Sequence, residues 1–396
     1  MNSTAKTIAV VGGGVAGLLA SITAASRGAH VVLFEKMDRV GLKMGITGKG
    51  RCNLTNARPI DEFIGMTPGN GKFLYSVYNR FDNEKLLDLF HTWGLKTVVQ
   101  RGGRVFPASE DAQEVRHLFM RKLKEYRVDL KEPVQHILSR DEAVCAVVTE
   151  RNTYAVDAVI LCTGGKSYPR TGSTGDGYTL ARELGHKVTT LRPVLIPFVT
   201  EESWCRELQG LSLRNVNLSV SAGGRRKAEA MGEMMFTHFG ITGPIVLSLS
   251  DSVSLWLSRG YAVTAELDMK PALDQEKLDR RVLRDLEKYH LKQMAGALQD
   301  LLPHRMVDVV LSLAGIPRDL PVAELTKGQR QSLVYTLKHM KLTISGTRPI
   351  EEAIVTGGGI SVKEINSSTM ESKICRNLYF AGEVMDIHAF TGGYNL

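Results

Sequence analysis

The sequence predicts an α/β protein that opens with a strand, a helix and a second strand of one parallel sheet. Residues 7–11, TIAVV, form a short apolar run typical of a buried strand, and the glycine-rich GGGVAG follows at 12–17. Residues 18–28, LLASITAASRG, carry apolar side chains at helical spacing and end on a glycine that suits a helix stop. Residues 30–35, HVVLFE, supply the second apolar strand.

The glycine turn has the spacing Gly12-x-Gly14-x-x-Gly17, and Glu35 ends the second strand 18 residues after Gly17. This order is the fingerprint of a dinucleotide-binding βαβ unit. Gly12 permits the tight turn, Gly14 lets the backbone approach a diphosphate, and Gly17 lets helix and strand pack closely. We expect Glu35 to accept hydrogen bonds from a ribose with a free 2′-hydroxyl, as in FAD or NAD.

The length and composition of the chain limit which classes of protein it can belong to. The 396 residues exceed what one hydrophobic core usually supports, so two or three domains are expected. No run approaches the ~18 apolar residues of a membrane span, and we interpret the apolar N-terminus as a strand because Gly12–Gly14 interrupt it. The five cysteines are scattered singly, which disfavours a disulfide scaffold, a dithiol centre or a metal site and predicts a reducing, cytoplasmic setting.

The formal net charge of +8 admits three interpretations. It is compatible with attraction to nucleic acid or to a membrane surface, with spare surface lysines, or with a site for an anionic cofactor. Basic residues are spread along the chain, and GGRRK at 223–227 is the one dense run. We therefore disfavour a nucleic-acid partner and expect no membrane partner.

Three further stretches predict a ligand site. Residues 41–56, GLKMGITGKGRCNLTN, combine glycines and basic residues without an apolar period, as in a ligand-binding loop. Residues 154–165, YAVDAVILCTGG, are expected to form one apolar strand that ends in Thr-Gly-Gly. Residues 377–396, NLYFAGEVMDIHAFTGGYNL, combine a strand at Leu378–Ala381 with a Gly-Glu turn, Asp386 and a Gly-Gly turn.

Together with GGRVFPAS, KSYPRTGSTGDGY, GEMMFTHFGITGP, VTGGGISVKEI and TMESK, these stretches make the sequence resemble the bacterial FAD-dependent BaiN-like flavoproteins, which include aminoacetone-oxidase-like enzymes. The resemblance extends from end to end. It implies a glutathione-reductase-like FAD-binding Rossmann domain built from residues 1–190 and 342–396. It also implies a β-barrel-like insert at 191–270 and a helical subdomain at 271–341.

The resemblance implies that the 41–56 loop runs beside the flavin, where Lys43, Arg51 and backbone amides supply positive potential. It places Val134 where such folds bind adenine. Cys52 is expected to be a small packed residue near the cofactor, with a redox role as the alternative. The predicted cofactor-binding residues are Gly12, Gly14, Val15, Ala16, Gly17, Glu35, Lys36, Lys43, Gly48, Gly50, Arg51, Cys52, Asn53, Val134, Thr163, Gly164, Gly165, Gly382, Glu383, Asp386, Gly392, Gly393 and Asn395.

The middle of the chain changes pattern. Residues 215–222 and 261–269 alternate apolar and polar positions, which predicts antiparallel strands. Residues 274–315 show helical spacing with Pro303 between two helices, and Leu325–His339 predicts another. This insert is expected to cover the flavin and shape the substrate pocket. Residues 355–361, VTGGGIS, lack a following helix, so we expect a turn that lines the flavin cavity.

The sequence offers five candidate catalytic residues, although flavin chemistry requires no side-chain nucleophile because N5 itself exchanges the hydride. A histidine near aromatic residues is more often structural than catalytic, which weakens one of them. Family members continue past the last motif into a helix whose N-terminal dipole points at the flavin, so either such a helix follows here or it is absent. The candidates are Arg51, Lys166, Tyr168, His238 and Tyr394.

The leading functional hypothesis is an FAD oxidoreductase that passes hydride from NAD(P)H through flavin N5 to an unsaturated or carbonyl-conjugated small molecule. The chain has no second complete NAD(P) domain, so NAD(P)H is expected to act as a transient reductant. The alternative is an oxygen-dependent amine oxidase acting on small aminoketones, and no sequence feature separates the two. A flavin-bearing nucleic-acid factor is the third and least favoured hypothesis.

Overall fold

The computed structural model describes residues 5–396 except the side chains of residues 225–227. Most of the basic run predicted at 223–227 therefore lies outside the described side chains. The strands of the described part are β1 (Thr7–Val11), β2 (His30–Phe34), β3 (Thr55–Asn56), β4 (Thr97–Gln100), β5 (Arg104–Pro107), β6 (Asp129–Lys131), β7 (Val134–Arg140), β8 (Ala143–Thr149), β9 (Thr153–Ala155), β10 (Ala158–Leu161), β11 (Arg192–Val194), β12 (Phe198–Thr200), β13 (Ser212–Ala222), β14 (Arg225–Thr237), β15 (Gly240–Thr242), β16 (Val263–Asp268), β17 (Met340–Thr347), β18 (Val355–Gly357) and β19 (Leu378–Phe380).

The helices lie singly or in groups between these strands along the chain. The α-helices of the described part are α1 (Val15–Ser26), α2 (Leu42–Ile46), α3 (Ile60–Gly65), α4 (Tyr75–Arg80), α5 (Asn83–Thr92), α6 (Ala112–Glu125), α7 (Asp176–Glu183), α8 (Trp204–Glu207), α9 (Pro244–Ser258), α10 (Gln275–Lys288), α11 (Met294–Ala297), α12 (His304–Ala314) and α13 (Lys327–Lys338). Short 3-10 helices occupy Thr47–Gly50, Gly71–Leu74, Pro169–Thr171, Val322–Glu324, Ile350–Glu352 and Val362–Glu364. Each described helix is too short or too polar to cross a lipid bilayer.

The first compact unit comprises the described residues up to Val194 together with Pro349–Leu396. Its main sheet has the order β19-β10-β1-β2-β6, with all neighbouring strands parallel. Val10 of β1 and Leu33 of β2 lie opposite each other and are fully buried. Leu18 and Ile22 of α1 belong to the same core, as expected where a helix covers a parallel sheet. The predicted Rossmann-type fold is confirmed.

The second compact unit is Leu195–Arg348. Six antiparallel strands close a barrel in the order β12-β15-β14-β13-β16-β17, which confirms the predicted barrel. Leu218 of β13, Leu267 of β16 and Val282 of α10 share one buried core, so the barrel and its helices form a single packed body. The three-domain division made from the sequence stays a prediction.

Two local predictions need correction. The single strand expected at 154–165 is two strands, because the chain leaves β9 in the sheet β7-β8-β9 and joins the main sheet at β10. Between them, the Asp157 carboxylate accepts a hydrogen bond of 2.7 Å from the backbone N–H of Thr7. The loop expected at 41–56 contains α2, a 3-10 turn and β3, each too short to show an apolar period.

Candidate functional site

Among Gly12, Gly14 and Gly17 of the β1–α1 turn, Gly14 alone has room beside it for a Cβ atom. A Cβ on Gly12, where φ is 106°, would lie 2.6 Å from the carbonyl oxygen of Cys162. A Cβ on Gly17 would lie 1.9 Å from the carbonyl oxygen of Gly12. A Cβ on Gly14 would meet no atom within 4 Å. Packing therefore excludes side chains at the first and third glycines, and open space remains at the second.

The N-terminus of α1 faces this space, and its N-cap residue offers the first amides no side-chain acceptor. Gly14 is the N-cap residue and provides no side-chain hydrogen bond, and the first turn contains no acidic residue. The first amides of a helix need acceptors from outside it, and the helix dipole favours an anion there. A diphosphate fits these requirements.

Glu35 holds the turn from the end of β2. One carboxylate oxygen, Oε2, accepts a hydrogen bond of 2.7 Å from the backbone N–H of Gly13. The other, Oε1, accepts one of 2.8 Å from the backbone N–H of Met37. Each carboxylate oxygen has capacity for a further hydrogen bond, so Glu35 can still accept one from a ribose hydroxyl.

A cavity, here called the turn cavity, runs along this turn. Its wall brings together thirteen of the predicted cofactor residues, namely Gly12, Gly14, Val15, Ala16, Glu35, Lys36, Lys43, Val134, Thr163, Gly164, Gly382, Glu383 and Asn395. Wall residues that the prediction missed include Gly13, Arg39, Thr47, Ser173, Asp176 and Val355. Gly13 lies inside the glycine fingerprint and Asp176 inside the STGDG motif, so a sequence signal existed for both.

Lys36 is engaged at the rim of the turn cavity. Its ammonium group donates hydrogen bonds to the Thr174 hydroxyl and to the Asp176 carboxylate. Partial burial would raise the pKa of Asp176, but the hydrogen bonds from Lys36 and Thr174 outweigh it and hold that pKa below its usual value. Asp176 therefore stays charged at neutral pH, and its negative charge balances the positive charge of Lys36 beside the cavity.

Lys43 and Glu383 form an ion pair on the wall of the turn cavity. The Lys43 Nζ lies 2.8 Å from Glu383 Oε2 and 2.6 Å from the Ser167 hydroxyl. Glu383 Oε1 accepts a hydrogen bond of 2.8 Å from the backbone N–H of Thr356. Ser167 and Thr356 were not predicted from the sequence.

Arg51 and Cys52 lie off the wall of the turn cavity. The Arg51 guanidinium carbon is 4.4 Å from the centre of the Phe106 ring, and its Nη1 donates to Gln100 and Glu110. Cys52 is fully buried in the core beside α1, and burial raises the pKa of its thiol to about 12. Such a thiol is protonated at neutral pH, which matches the expectation of a packed residue.

Several other predicted residues also lie away from the turn cavity. Asn53 and Gly393 are neighbours, since a Cβ on Gly393 would lie 2.9 Å from Asn53 Oδ1. The Asp386 carbonyl accepts a hydrogen bond of 2.7 Å from the Asn70 side chain. The predicted cofactor residues that do not line the turn cavity are Gly17, Gly48, Gly50, Arg51, Cys52, Asn53, Gly165, Asp386, Gly392 and Gly393.

A second, mainly apolar cavity adjoins the turn cavity in the same unit. The two share Val355, Gly382, Glu383, Asn395 and Leu396 as wall residues. Among the candidate catalytic residues, Tyr394 lines this second cavity, and its ring stacks edge-on against Phe63 at 4.9 Å. Burial raises the pKa of the Tyr394 phenol.

The remaining catalytic candidates lie outside the described walls of these two cavities. Lys166 is exposed, and its backbone N–H donates to the Thr356 hydroxyl at 2.8 Å. Tyr168 has a φ of 53° and donates its backbone N–H to the carbonyl of Glu351 at 3.0 Å. His238 belongs to the second unit and is exposed, with its ring against Phe239.

The sequence matches known proteins over nearly the whole chain. The model of the HI0933-like protein Rossmann domain matches residues 6–396. The 3-dehydro-bile acid delta(4,6)-reductase of Clostridium scindens is 30% identical, over 98% of this chain and 95% of its own length. A ribosomal RNA dihydrouridine synthase of Haemophilus influenzae is also 30% identical, over 98% of this chain and 94% of its own. Among solved structures, a 3-ketosteroid-delta4-(5alpha)-dehydrogenase from Rhodococcus jostii RHA1 is 14% identical with a TM-score of 0.49, over 100% of this chain and 94% of that one.

Proposed function

Because the chain belongs to the HI0933-like Rossmann family of FAD-dependent oxidoreductases, we propose that it reduces a carbon–carbon double bond conjugated to a carbonyl group. Bound FAD supplies hydride exchange at its N5 atom, and NAD(P)H is the proposed donor. The substrate is an unsaturated organic molecule rather than an amine.

One observation carries this proposal, and it is the chemistry shared by the names of two relatives. One relative is named for reducing a delta(4,6) unsaturated 3-dehydro-bile acid, and the other for making dihydrouridine in ribosomal RNA. Both products result from adding two hydrogens across a carbon–carbon double bond that is conjugated to a carbonyl. We assign this shared reaction type, and neither individual substrate, to the present chain.

The residues of the turn cavity fit FAD in distinct roles. The amides at the start of α1 and the open space at Gly14 suit the diphosphate. Glu35 suits the adenosine ribose, and Val134 lies on the same wall for the adenine. Lys43 and Glu383 supply fixed charges. These groups bind and orient the cofactor, which is the contribution a protein makes to flavin chemistry.

Cys162 on the wall of the turn cavity and Cys52 in the core beside α1 favour direct hydride exchange over a thiol relay. Burial raises the pKa of both Cys52 and Cys162 to about 12. A nucleophilic relay requires a thiolate, and these groups are protonated at neutral pH. The free cysteines and a pyridine-nucleotide donor both suit a cytoplasmic setting.

Anaerobic stopped-flow spectroscopy of the FAD-loaded protein tests the proposal. NADH or NADPH is expected to bleach the flavin absorbance, and 2-cyclohexenone is expected to restore it without oxygen. Cyclohexanone, which lacks the double bond, is the matched control and is expected to leave the flavin bleached. A flavin that stays yellow contradicts the proposal. If small aminoketones reduce the flavin and hydrogen peroxide is released in air, the protein is instead an amine oxidase.

The names of the relatives also favour a second candidate, in which the conjugated substrate is a uracil base within RNA. Ribosomal RNA dihydrouridine synthases of Haemophilus influenzae and Escherichia coli match at 30% and 28% identity, and the net charge of +8 suits a polyanion. RNA binding that neutralises phosphates weakens steeply with salt. The test is dihydrouridine formation in an unmodified ribosomal RNA transcript, with free uridine as control. Absence of both salt-dependent binding and product removes this candidate.

A further inference from the structure

Lys43 and Glu383, on the wall of the turn cavity, belong to a cluster of four residues whose mutual contacts have no role in the function proposed so far. The cluster consists of Lys43, Ser167, Thr356 and Glu383, and is called the Lys43 cluster. Lys43 Nζ bridges Glu383 Oε2 at 2.8 Å and Ser167 Oγ at 2.6 Å. Glu383 Oε1 accepts the Thr356 backbone N–H at 2.8 Å and the Ser167 hydroxyl at 3.3 Å. Both oxygens of one carboxylate are thus held, by residues from three distant segments.

The Lys43 cluster is built rigidly. Ser167 is fully buried, and the side chains of Lys43 and Glu383 are only 23% and 19% exposed. A Cβ on Gly165 would lie 2.4 Å from Thr356 Oγ1 and 2.8 Å from Glu383 Oε1, so no side chain fits beneath the carboxylate. The position of the carboxylate therefore fixes the position of the ammonium group.

The electrostatic consequence follows from this geometry. A lysine ammonium has three N–H groups, and Ser167 and Glu383 use two of those on Lys43. Lys43 and Glu383 both line the cavity, where charges are screened less than in water. The carboxylate at 2.8 Å cancels much of the ammonium field. The balance between the two charges determines the electrostatic potential along this wall.

We propose that Glu383 is a positioning residue that holds the Lys43 ammonium at the cavity wall, and that this pair sets the reduction potential of the bound flavin. A positive wall favours the reduced cofactor, whose ring carries more negative charge than the oxidised form. The pair therefore acts in opposite senses. The ammonium group favours reduction, and the carboxylate limits that preference. This inference rests on FAD binding and is independent of which substrate is reduced.

Spectroelectrochemical titration of the FAD-loaded protein at pH 7 tests the proposal without any substrate. At a fixed potential, Lys43→Met is expected to lower the ratio of reduced to oxidised flavin about tenfold, which is about 30 mV for a two-electron couple. Glu383→Gln is expected to raise the ratio by a similar factor. The double variant is expected to return close to the wild-type ratio, because its wall is again neutral.

Lys43→Arg is the matched control, because it keeps the positive charge. Its ratio of reduced to oxidised flavin is expected to stay within about threefold of the wild-type ratio, a difference of less than about 0.7 kcal/mol. Shifts of both single variants in the same direction, or no shift in either, overturn the proposal. If Glu383→Gln does not fold, the comparison of Lys43→Met with Lys43→Arg decides alone. Equal ratios in those two variants overturn the proposal.

Discussion

Glu35, at the end of β2, accepts a hydrogen bond of 2.7 Å from the backbone N–H of Gly13, in the middle of the β1–α1 turn. Its second oxygen accepts the backbone N–H of Met37 at 2.8 Å. One carboxylate therefore joins the glycine turn to the segment that follows β2. The acid that the fingerprint assigns to a ribose also builds the turn that suits the diphosphate.

Glu35→Ala is expected to destabilise the protein even without cofactor. The substitution leaves the N–H groups of Gly13 and Met37 without their acceptor, and each partly buried unpaired group costs about 1–3 kcal/mol. Urea denaturation of the apoprotein measures the loss. Asp38→Ala is the control, since the Asp38 side chain is 78% exposed and its loss is expected to cost less than about 0.5 kcal/mol. Equal stability of the two variants contradicts this account.

The variants Gly14→Ala and Gly17→Ala are expected to lose different properties, FAD affinity in the first and stability in the second. At Gly17 the new Cβ would lie 1.9 Å from the Gly12 carbonyl oxygen, so unfolding should become easier by about 3 kcal/mol. At Gly14 the backbone is extended, with φ of −73°, and the Cβ meets open space, so thermal stability should be unchanged. FAD affinity of Gly14→Ala should nevertheless fall about tenfold or more, because the methyl group keeps the diphosphate from the backbone.

Thermal melts of both apoproteins and fluorescence titration with FAD distinguish these outcomes. Gly28→Ala offers a control glycine with open space around its Cβ and no place on the cavity wall, although its φ of 87° will cost some stability. It should leave FAD affinity unchanged. Tight FAD binding by Gly14→Ala would show that the diphosphate lies elsewhere.

The Lys36–Asp176 pair is expected to contribute stability that is lost in acid. Hydrogen bonds from Lys36 and Thr174 outweigh burial and hold the pKa of Asp176 below its ordinary value of 3.8. A carboxyl whose pKa is lower in the folded state stabilises it above the unfolded value and loses that contribution as pH falls through the folded value. The stability difference between wild type and Asp176→Asn should therefore be full at pH 7 and shrink below about pH 4.

Urea denaturation across this pH range provides the measurement. Asp38→Asn, at a highly exposed site, is the control and should show no comparable trend. A difference between wild type and Asp176→Asn that is constant down to about pH 2 would show that the carboxylate charge is unimportant.

Thiol labelling is expected to separate Cys145 from the other cysteines. Cys145 is half-buried, whereas Cys52, Cys162, Cys205 and Cys375 are buried. Burial raises the pKa of Cys52, Cys162 and Cys205 to about 12, so their thiolates are scarce at pH 8. An aromatic disulfide reagent should therefore modify Cys145 first, and the others only after denaturation.

Cys52→Ala extends the labelling experiment to function. Because Cys52 is expected to pack rather than react, the variant should retain FAD and be reduced by the same donor at a rate within about threefold of wild type. Rapid native labelling of Cys52, or loss of flavin reduction in Cys52→Ala, would support the redox alternative instead.

Most of the site residues that the sequence predicts lie within short, contiguous motifs. The turn from Gly12 to Gly17 and the acid Glu35 lie close together in the chain, and the structure gives Gly12 and Gly17 a distinct steric reason each. The Ser167–Glu383 contact joins residues 216 positions apart, and no local pattern encodes such a pairing. For the same reason, neither local motif predicts the Lys36–Asp176 pair, whose members are 140 positions apart.

Arg51 illustrates the opposite case. The family resemblance implies that Arg51 contacts the cofactor, and this contact stays a prediction. In the structure its guanidinium group lies over Phe106 and donates to Gln100 and Glu110. These partners come from the β4–β5 hairpin and the segment after it, whose approach depends on tertiary packing. Composition identified the loop as basic, whereas only the packed chain decides where each charge points.

Calorimetric titration of the folded apoprotein with FAD, FMN and ADP-ribose tests the central claim most directly, because the claim is that the β1–α1 turn holds a dinucleotide diphosphate. One FAD per chain should bind, and ADP-ribose should compete with it. FMN, which lacks the diphosphate and adenosine, should bind at least about 100-fold more weakly, a difference of about 2.8 kcal/mol. A folded chain that binds FMN as tightly as FAD, or that binds neither, would contradict the account.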